Sequence, residues 1–166
     1  MMSSSTPEPL SAAVITVSDS CARGDRADLS GPAVVEILRK RNFSVVGVEI
    51  IPDEISAIQK ALQYWVGEAR LVVTTGGTGI AERDVTPEAT RGVCDRILEG
   101  VAERMRAEGT KKTPLAVLSR GICGILGTSI VLNLPGSPTG AVESLEAVVD
   151  VMPHALQLLS GNTEHN

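Results

Sequence analysis

A three-layer α/β fold, its sheet mostly parallel and flanked by helices with a short antiparallel portion, is what this 166-residue sequence predicts. Three observations carry that expectation. Short β-branched runs alternate along the chain with helical patterns, as in consecutive βαβ units. Helix-start signals stand between the runs, at Ser30-Gly31-Pro32, Thr86-Pro87-Glu88 and Ser137-Pro138. The last two apolar runs are joined by a Gly-rich stretch, Gly121 to Gly127, too short for a crossover helix, so part of the sheet is antiparallel.

Residues 1–10 are rich in Ser and Pro and read as a disordered tail, 11–161 as one domain, and 162–166 as a second tail. Ala13 to Val17 is an apolar run suited to a buried strand. Ser30 then caps a helix whose Val34, Val35, Ile37 and Leu38 share one face. Val45 to Ile51 is a second strand, and Asp53 opens a helix in which Ile55, Ile58, Leu62 and Trp65 recur at helical spacing. Leu71 to Thr75 is a third strand that runs directly into Gly76-Gly77-Thr78-Gly79. Thr86 caps the next helix, which continues to about Ala107 with a break near Gly100. Leu115 to Leu118 and Ser129 to Leu134 read as the final strands, and Pro153 divides the helical region that follows Ser137.

Composition narrows the function classes. Hydrophobic residues make up 43% and charged residues 21%, the balance of an ordinary globular protein. With one Phe, one Tyr and one Trp, the core is aliphatic and stacking platforms for single-stranded nucleic acid are lacking. A net charge of −5 without a basic tract argues against nucleic-acid partners altogether. It leaves a small phosphorylated ligand open, because Mg²⁺ and backbone N–H groups supply local positive charge. The apolar stretch Leu10 to Val17 is too short to span a membrane, and the three separated cysteines fit a reducing, cytoplasmic setting.

In a doubly wound sheet the ligand crevice lies beyond the carboxyl ends of the strands. The residues there are Ser18 and Asp19, then Asp53, then Thr75 through Asp84, then Ser119-Arg120, then Asn133-Leu134-Pro135-Gly136-Ser137. Gly76 to Gly79 matches neither a Walker loop, since no Gly-Lys pair exists in the chain, nor a dinucleotide fingerprint. It reads either as an anion cradle beside the hydroxyls of Thr74, Thr75 and Thr78 or as a simple tight turn. Asp53 taken alone reads first as a helix cap, and Asp84 as a loop residue paired with a neighbour. Together on one edge with a phosphate-type loop, the two carboxylates point to a Mg²⁺ site. His154, in an apolar helix, and His165, in the tail, are poor catalytic candidates.

Thr75-Gly76-Gly77-Thr78-Gly79 followed by Arg83-Asp84-Val85-Thr86-Pro87-Glu88-Ala89-Thr90 closely resembles the molybdopterin adenylyltransferase family. Thr16-Val17-Ser18-Asp19, Ile51-Pro52-Asp53-Glu54, Leu118-Ser119-Arg120 and Asn133 to Pro138 support the resemblance in family order, from about residue 12 to 161. The resemblance implies Mg²⁺- and ATP-dependent adenylylation of molybdopterin with release of pyrophosphate. It implies that Asp53, Asp84 and Ser119 are catalytic and that Asp53 holds the metal. Ser18 and Asp19, the segment Thr75, Gly76, Gly77, Thr78 and Gly79, and Asn133, Pro135, Gly136 and Ser137 are then substrate-binding. It further implies a homotrimer and admits a molybdenum-insertion protein as a downstream partner. Two departures stand out: Leu126 replaces the basic residue usual before the last strand, and Gly109 stands where many members have Ser. Leu126 favours the alternative, a non-catalytic molybdopterin-binding carrier or scaffold, unless Arg120, Lys111 or Lys112 supplies the missing cation.

Overall fold

The computed structural model describes residues 8–161. In chain order it comprises β1 (Leu10–Val17), α1 (Asp19–Ala22), α2 (Ser30–Lys40), β2 (Phe43–Ile51), α3 (Ile55–Trp65), β3 (Leu71–Thr75) and α4 (Thr86–Val93). There follow β4 (Arg96–Ile97), α5 (Glu99–Thr110), a 3₁₀ turn (Pro114–Leu118), β5 (Cys123–Leu126), β6 (Ser129–Leu134), α6 (Pro138–Val148), a second 3₁₀ turn (Val149–Val151) and α7 (Met152–Leu159). The six strands form one sheet in the order β2-β1-β3-β6-β5-β4. The first four are parallel, and β5 pairs antiparallel with both β6 and β4.

Side-chain alternation along β1 divides the core into two layers. Ala12 and Val14 face a cluster with Val34 and Leu38 of α2, Met105 of α5, Leu145 of α6 and Leu156 of α7. Ala13, Ile15 and Val17 face the other side, against Ile58 and Leu62 of α3 and Ala89 of α4. The central strands β3 and β6 are buried along their whole length, which is why they are mainly apolar and β-branched, with the polar groups they carry hydrogen-bonded inside. Among the described residues no helix is long and apolar enough to cross a membrane.

Several local expectations change. Leu10, assigned to the tail, pairs with Phe43 at the start of β1. Ser30 is the first residue of α2 rather than its cap; Asp28 Oδ1 accepts the Gly31 N–H at 3.0 Å in its place. Thr86 lies inside α4 and donates its hydroxyl to the Gly76 carbonyl at 2.9 Å. Asp53 does not cap α3, which begins after Glu54. The helix from Thr86 stops at Val93, because Asp95 N–H and Leu98 N–H are drawn to the carbonyls of Ile125 and Cys123.

Leu115 to Leu118 is not a strand. Thr113 accepts the Leu115 N–H with its hydroxyl, Pro114 has no N–H to give a ladder, and the segment closes as a 3₁₀ turn. The antiparallel strand beside β6 is instead Cys123–Leu126, inside the Gly-rich stretch.

Candidate functional site

Parallel pairing brings the carboxyl ends of β1, β2, β3 and β6 to one edge, and the loops after them meet there. The central contact is between backbones. Gly76 N–H donates to the Leu134 carbonyl at 3.0 Å, and a Cβ on Gly136 would stand 3.3 Å from Gly76 Cα. Gly76 and Gly77 both have positive φ, 94° and 71°, and a Cβ on Gly76 would meet the Val17 carbonyl oxygen at 2.3 Å. Only glycine takes that conformation in that space, so the loop needs this composition whether or not it binds anything.

The ridge formed by these loops separates two basins. The larger, of about 510 Å³, is walled by Thr78, Gly79, Ser119, Asn133 and Pro135, with Arg106 of α5 and the apolar side chains Ile80, Leu115 and Leu118. The smaller, of about 330 Å³, is walled by Ser18, Cys21, Arg26, Asp53, Thr75 and Gly76. Gly77, Asp84, Gly136 and Ser137 line both. The site residues expected from the sequence are thus gathered on one edge, with Asp84 at the junction.

The carboxylates are held in a defined order. Asp19 and Asp53 exchange backbone-to-side-chain bonds: Asp19 N–H donates to Asp53 Oδ2 at 2.9 Å and Asp53 N–H to Asp19 Oδ1 at 3.0 Å. Arg83 reaches both Asp19 oxygens, with Nη2 at 2.8 Å from each. Its hydrogen bonds, with that from Asp53 N–H, hold the Asp19 carboxyl below its ordinary pKa. Asp19 therefore stands behind Asp53, neutralised, and lines neither basin. Among the described residues Asp53 has no such cationic partner. Burial raises its pKa, and the Asp19 and Asp84 charges add to that against the lowering Asp19 N–H. Its Oδ1 lies 3.2 Å from where a Gly77 Cβ would be. Asp84 Oδ2 accepts the Ala81 N–H at 3.0 Å, closing the short loop on itself.

Besides Asp19, three expected substrate contacts turn out to be engaged within the protein. Asn133 is 1% exposed; its amide donates to Thr74 Oγ1 and Thr90 Oγ1, each at 3.0 Å, and accepts from Ile122 N–H. It shapes the wall of the larger basin by tying β6 to β3, α4 and the start of β5. Thr75 is fully buried and bonded to the Ser30 hydroxyl at 2.9 Å. Ser18 caps α1 by accepting the Cys21 N–H.

The cations were harder to foresee. Arg120, offered as a substitute cation, is occupied by the carbonyls of Gly79 and Asp84 and by Glu88. Lys111 and Lys112 pair with Glu108 and Glu143. Arg106 and Arg26, which do line the basins, sit in a helix pattern and a polar loop where nothing in the sequence distinguishes them. Leu126 pairs with Ser129 at the amino end of β6, about 13 Å along the strand from Asn133, so the loss of a cation there does not touch the crevice.

A family model described as "Probable molybdopterin binding domain" matches residues 13–154. The chain belongs to this family. It is 43% identical over 153 residues to "Molybdopterin adenylyltransferase" of Helicobacter pylori strain J99, covering 90% of this chain and 87% of that one. It is 40% identical to "Molybdenum cofactor synthesis protein cinnamon" of Drosophila melanogaster over 92% of its own length, but spans only 26% of that longer protein. Among solved structures, the molybdopterin biosynthesis enzyme MoaB of Thermus thermophilus superposes with a TM-score of 0.87 at 49% identity, covering 92% of this chain and 97% of that one.

Proposed function

We propose that this protein acts in molybdenum cofactor biosynthesis as a molybdopterin adenylyltransferase, transferring AMP from Mg-ATP to the terminal phosphate of molybdopterin and releasing pyrophosphate. The observation that carries this reading is the position of Asp84 on the wall common to two adjoining basins, in a chain 43% identical to an enzyme of that name. Two basins suit a two-substrate reaction, and a reacting centre belongs where they meet.

In the transfer, an oxygen of the molybdopterin phosphate forms a bond to the α-phosphorus of ATP while the bond to pyrophosphate breaks. The attacking phosphate is already largely ionised at neutral pH, its second pKa being about 6, so no general base is required. The protein's work is alignment and charge neutralisation. The Gly76–Gly79 and Pro135–Ser137 backbones fix the two substrates on either side of the ridge, with Ser119 donating its hydroxyl from the larger basin.

Asp53 fits a Mg²⁺ role because it is a half-buried carboxylate beside Asp84 that, among the described residues, accepts the Asp19 N–H and makes no ion pair. Among the described residues no three metal-ligating side chains converge, which fits a cation completed by substrate phosphates. When bound, Mg²⁺ would neutralise charge on the polyphosphate. The same reading makes the chain one protomer of a homotrimer, and places a molybdenum-insertion protein next in line for its product. The carrier alternative loses the feature that favoured it, since Leu126 lies away from the crevice.

Mass spectrometry of molybdopterin incubated with the protein and Mg-ATP tests the reading. Addition of one AMP is the expected outcome; bound but unmodified pterin would return the carrier.

A further inference from the structure

We infer that Arg120 is the positioning residue for Asp84, holding the carboxylate loop in its working shape rather than contacting a substrate; this rests on the adenylyltransferase reading above. Its guanidinium joins three parts of the chain. Nε donates to the Gly79 carbonyl at 2.8 Å, Nη2 donates to the Asp84 carbonyl at 2.8 Å, and Nη1 donates to the Glu88 carboxylate on α4. The Arg120 N–H also donates to the Thr78 carbonyl at 2.8 Å. The two side-chain carbonyl contacts fall on the first and last residues of the segment Gly79 to Asp84.

That segment has little else to define it. Within it, Asp84 N–H donates to the Ala81 carbonyl and Ala81 N–H to Asp84 Oδ2, each at 3.0 Å. Ile80, Ala81, Glu82 and Arg83 are exposed. The remaining tie from the segment to another element, Arg83 to Asp19, is made by a side chain that is 62% exposed. That contact is bidentate, with Nε and Nη2 on the two Asp19 oxygens, but it holds the Arg83 side chain and leaves the backbone of the segment free. Arg120 is different in kind: a planar fork with several donors at fixed angles can fix two carbonyls and a carboxylate together, and a lysine ammonium cannot reproduce that geometry. Glu88 sets the fork's rotation, and the hydrogen bond from Arg120 holds the Glu88 carboxyl below its ordinary pKa. Because Asp84 lines both basins, moving its backbone displaces the carboxylate that is shared between them.

Two variants and two readouts test this. Arg120→Lys keeps the positive charge and loses the fork, while Glu88→Gln leaves the backbone contacts and loosens only the orientation. Steady-state kinetics with Mg-ATP and molybdopterin should show kcat falling at least about 10-fold in Arg120→Lys and less in Glu88→Gln, with KM for ATP within about twofold of wild type. Hydrogen exchange followed by mass spectrometry should show faster exchange confined to peptides covering residues 79–84, with the sheet unchanged. A raised KM at unaltered kcat would make Arg120 a substrate contact and overturn the proposal, as would unchanged exchange in the loop. If the wild type shows no adenylylation, the adenylyltransferase reading fails and the exchange measurement alone decides: faster loop exchange upholds the clamp and wild-type exchange removes it. Should Arg120→Lys fail to fold, Glu88→Gln decides by the same two readouts.

Discussion

At the scale of single residues, the site is built from groups whose chemistry depends on what surrounds them. Asp19 and Asp53 sit side by side, yet one is neutralised by Arg83 and the other is left to face the crevice. The three cysteines differ in the same way. Burial, with the Asp95 charge, pushes the Cys94 thiol up to about 11, and burial, with Cys94, pushes Cys123 up to about 12. At pH 8 a thiol of pKa about 11 is about one part in a thousand thiolate, and the thiolate is the reactive form. Cys21 lines the smaller basin instead. We expect a maleimide at pH 8 to label Cys21 alone in the folded protein, the other two reacting only after unfolding, and one of the two substrates to slow that labelling. Rapid labelling of Cys94, or no protection by either substrate, would contradict the assignment. The residue types at the site were legible in the sequence: Gly76-Gly77, Asp53 and Asp84 each admit a structural reading alone, and stand out because they fall together on the edge where the strands end. What could not be read was each side chain's partner. Nothing in the order of residues says that Asn133 turns inward to two threonines, or that Arg120 faces carbonyls instead of phosphate.

Elements show why some boundaries were readable and others not. β3, Leu71–Thr75, is a central strand buried on both faces, so its sequence is an unbroken apolar and β-branched run that ends where glycine begins. The segment Leu115 to Leu118 has the same apolar character, but Leu115 and Val117 are 69% and 64% exposed because Thr113 and Pro114 close it into a turn. Apolar content alone cannot tell a buried strand from an exposed turn. The two-residue β4 leaves no periodic signal at all. Asn133 joins these elements, bonding β6 to β3 and α4 and to Ile122 beside β5. Replacing it with Leu strands two buried hydroxyls and one N–H, so Asn133→Leu should destabilise the fold by about 2–4 kcal/mol in urea titrations. A change below about 0.5 kcal/mol would mean that the amide is not the fastener described here.

The whole molecule is organised so that chemistry collects at one edge. Parallel strands in the order β2-β1-β3-β6 deliver four loops to the same side, and two core layers hold the sheet rigid beneath them. This was the part most fully legible, since alternating strands and helices impose it before any side chain is placed. Exposed apolar side chains remain, among them Val46, Val48 and Ile50 on the edge strand β2. A long apolar edge of this kind is normally covered in a stable protein. If a second copy of the chain provides that cover, as the homotrimer implied by the resemblance allows, sedimentation should find one species of three chains; a stable monomer would count against it.

Pyrophosphate release from Mg-ATP, measured with and without molybdopterin in the wild type and in Asp84→Asn, is the most direct test of a reacting centre at the junction of the two basins. Pterin-dependent release that drops at least about 100-fold in the variant, with its unfolding transition unmoved, is the predicted result. Equal release from both proteins would show that the carboxylate shared by the two basins takes no part in the reaction.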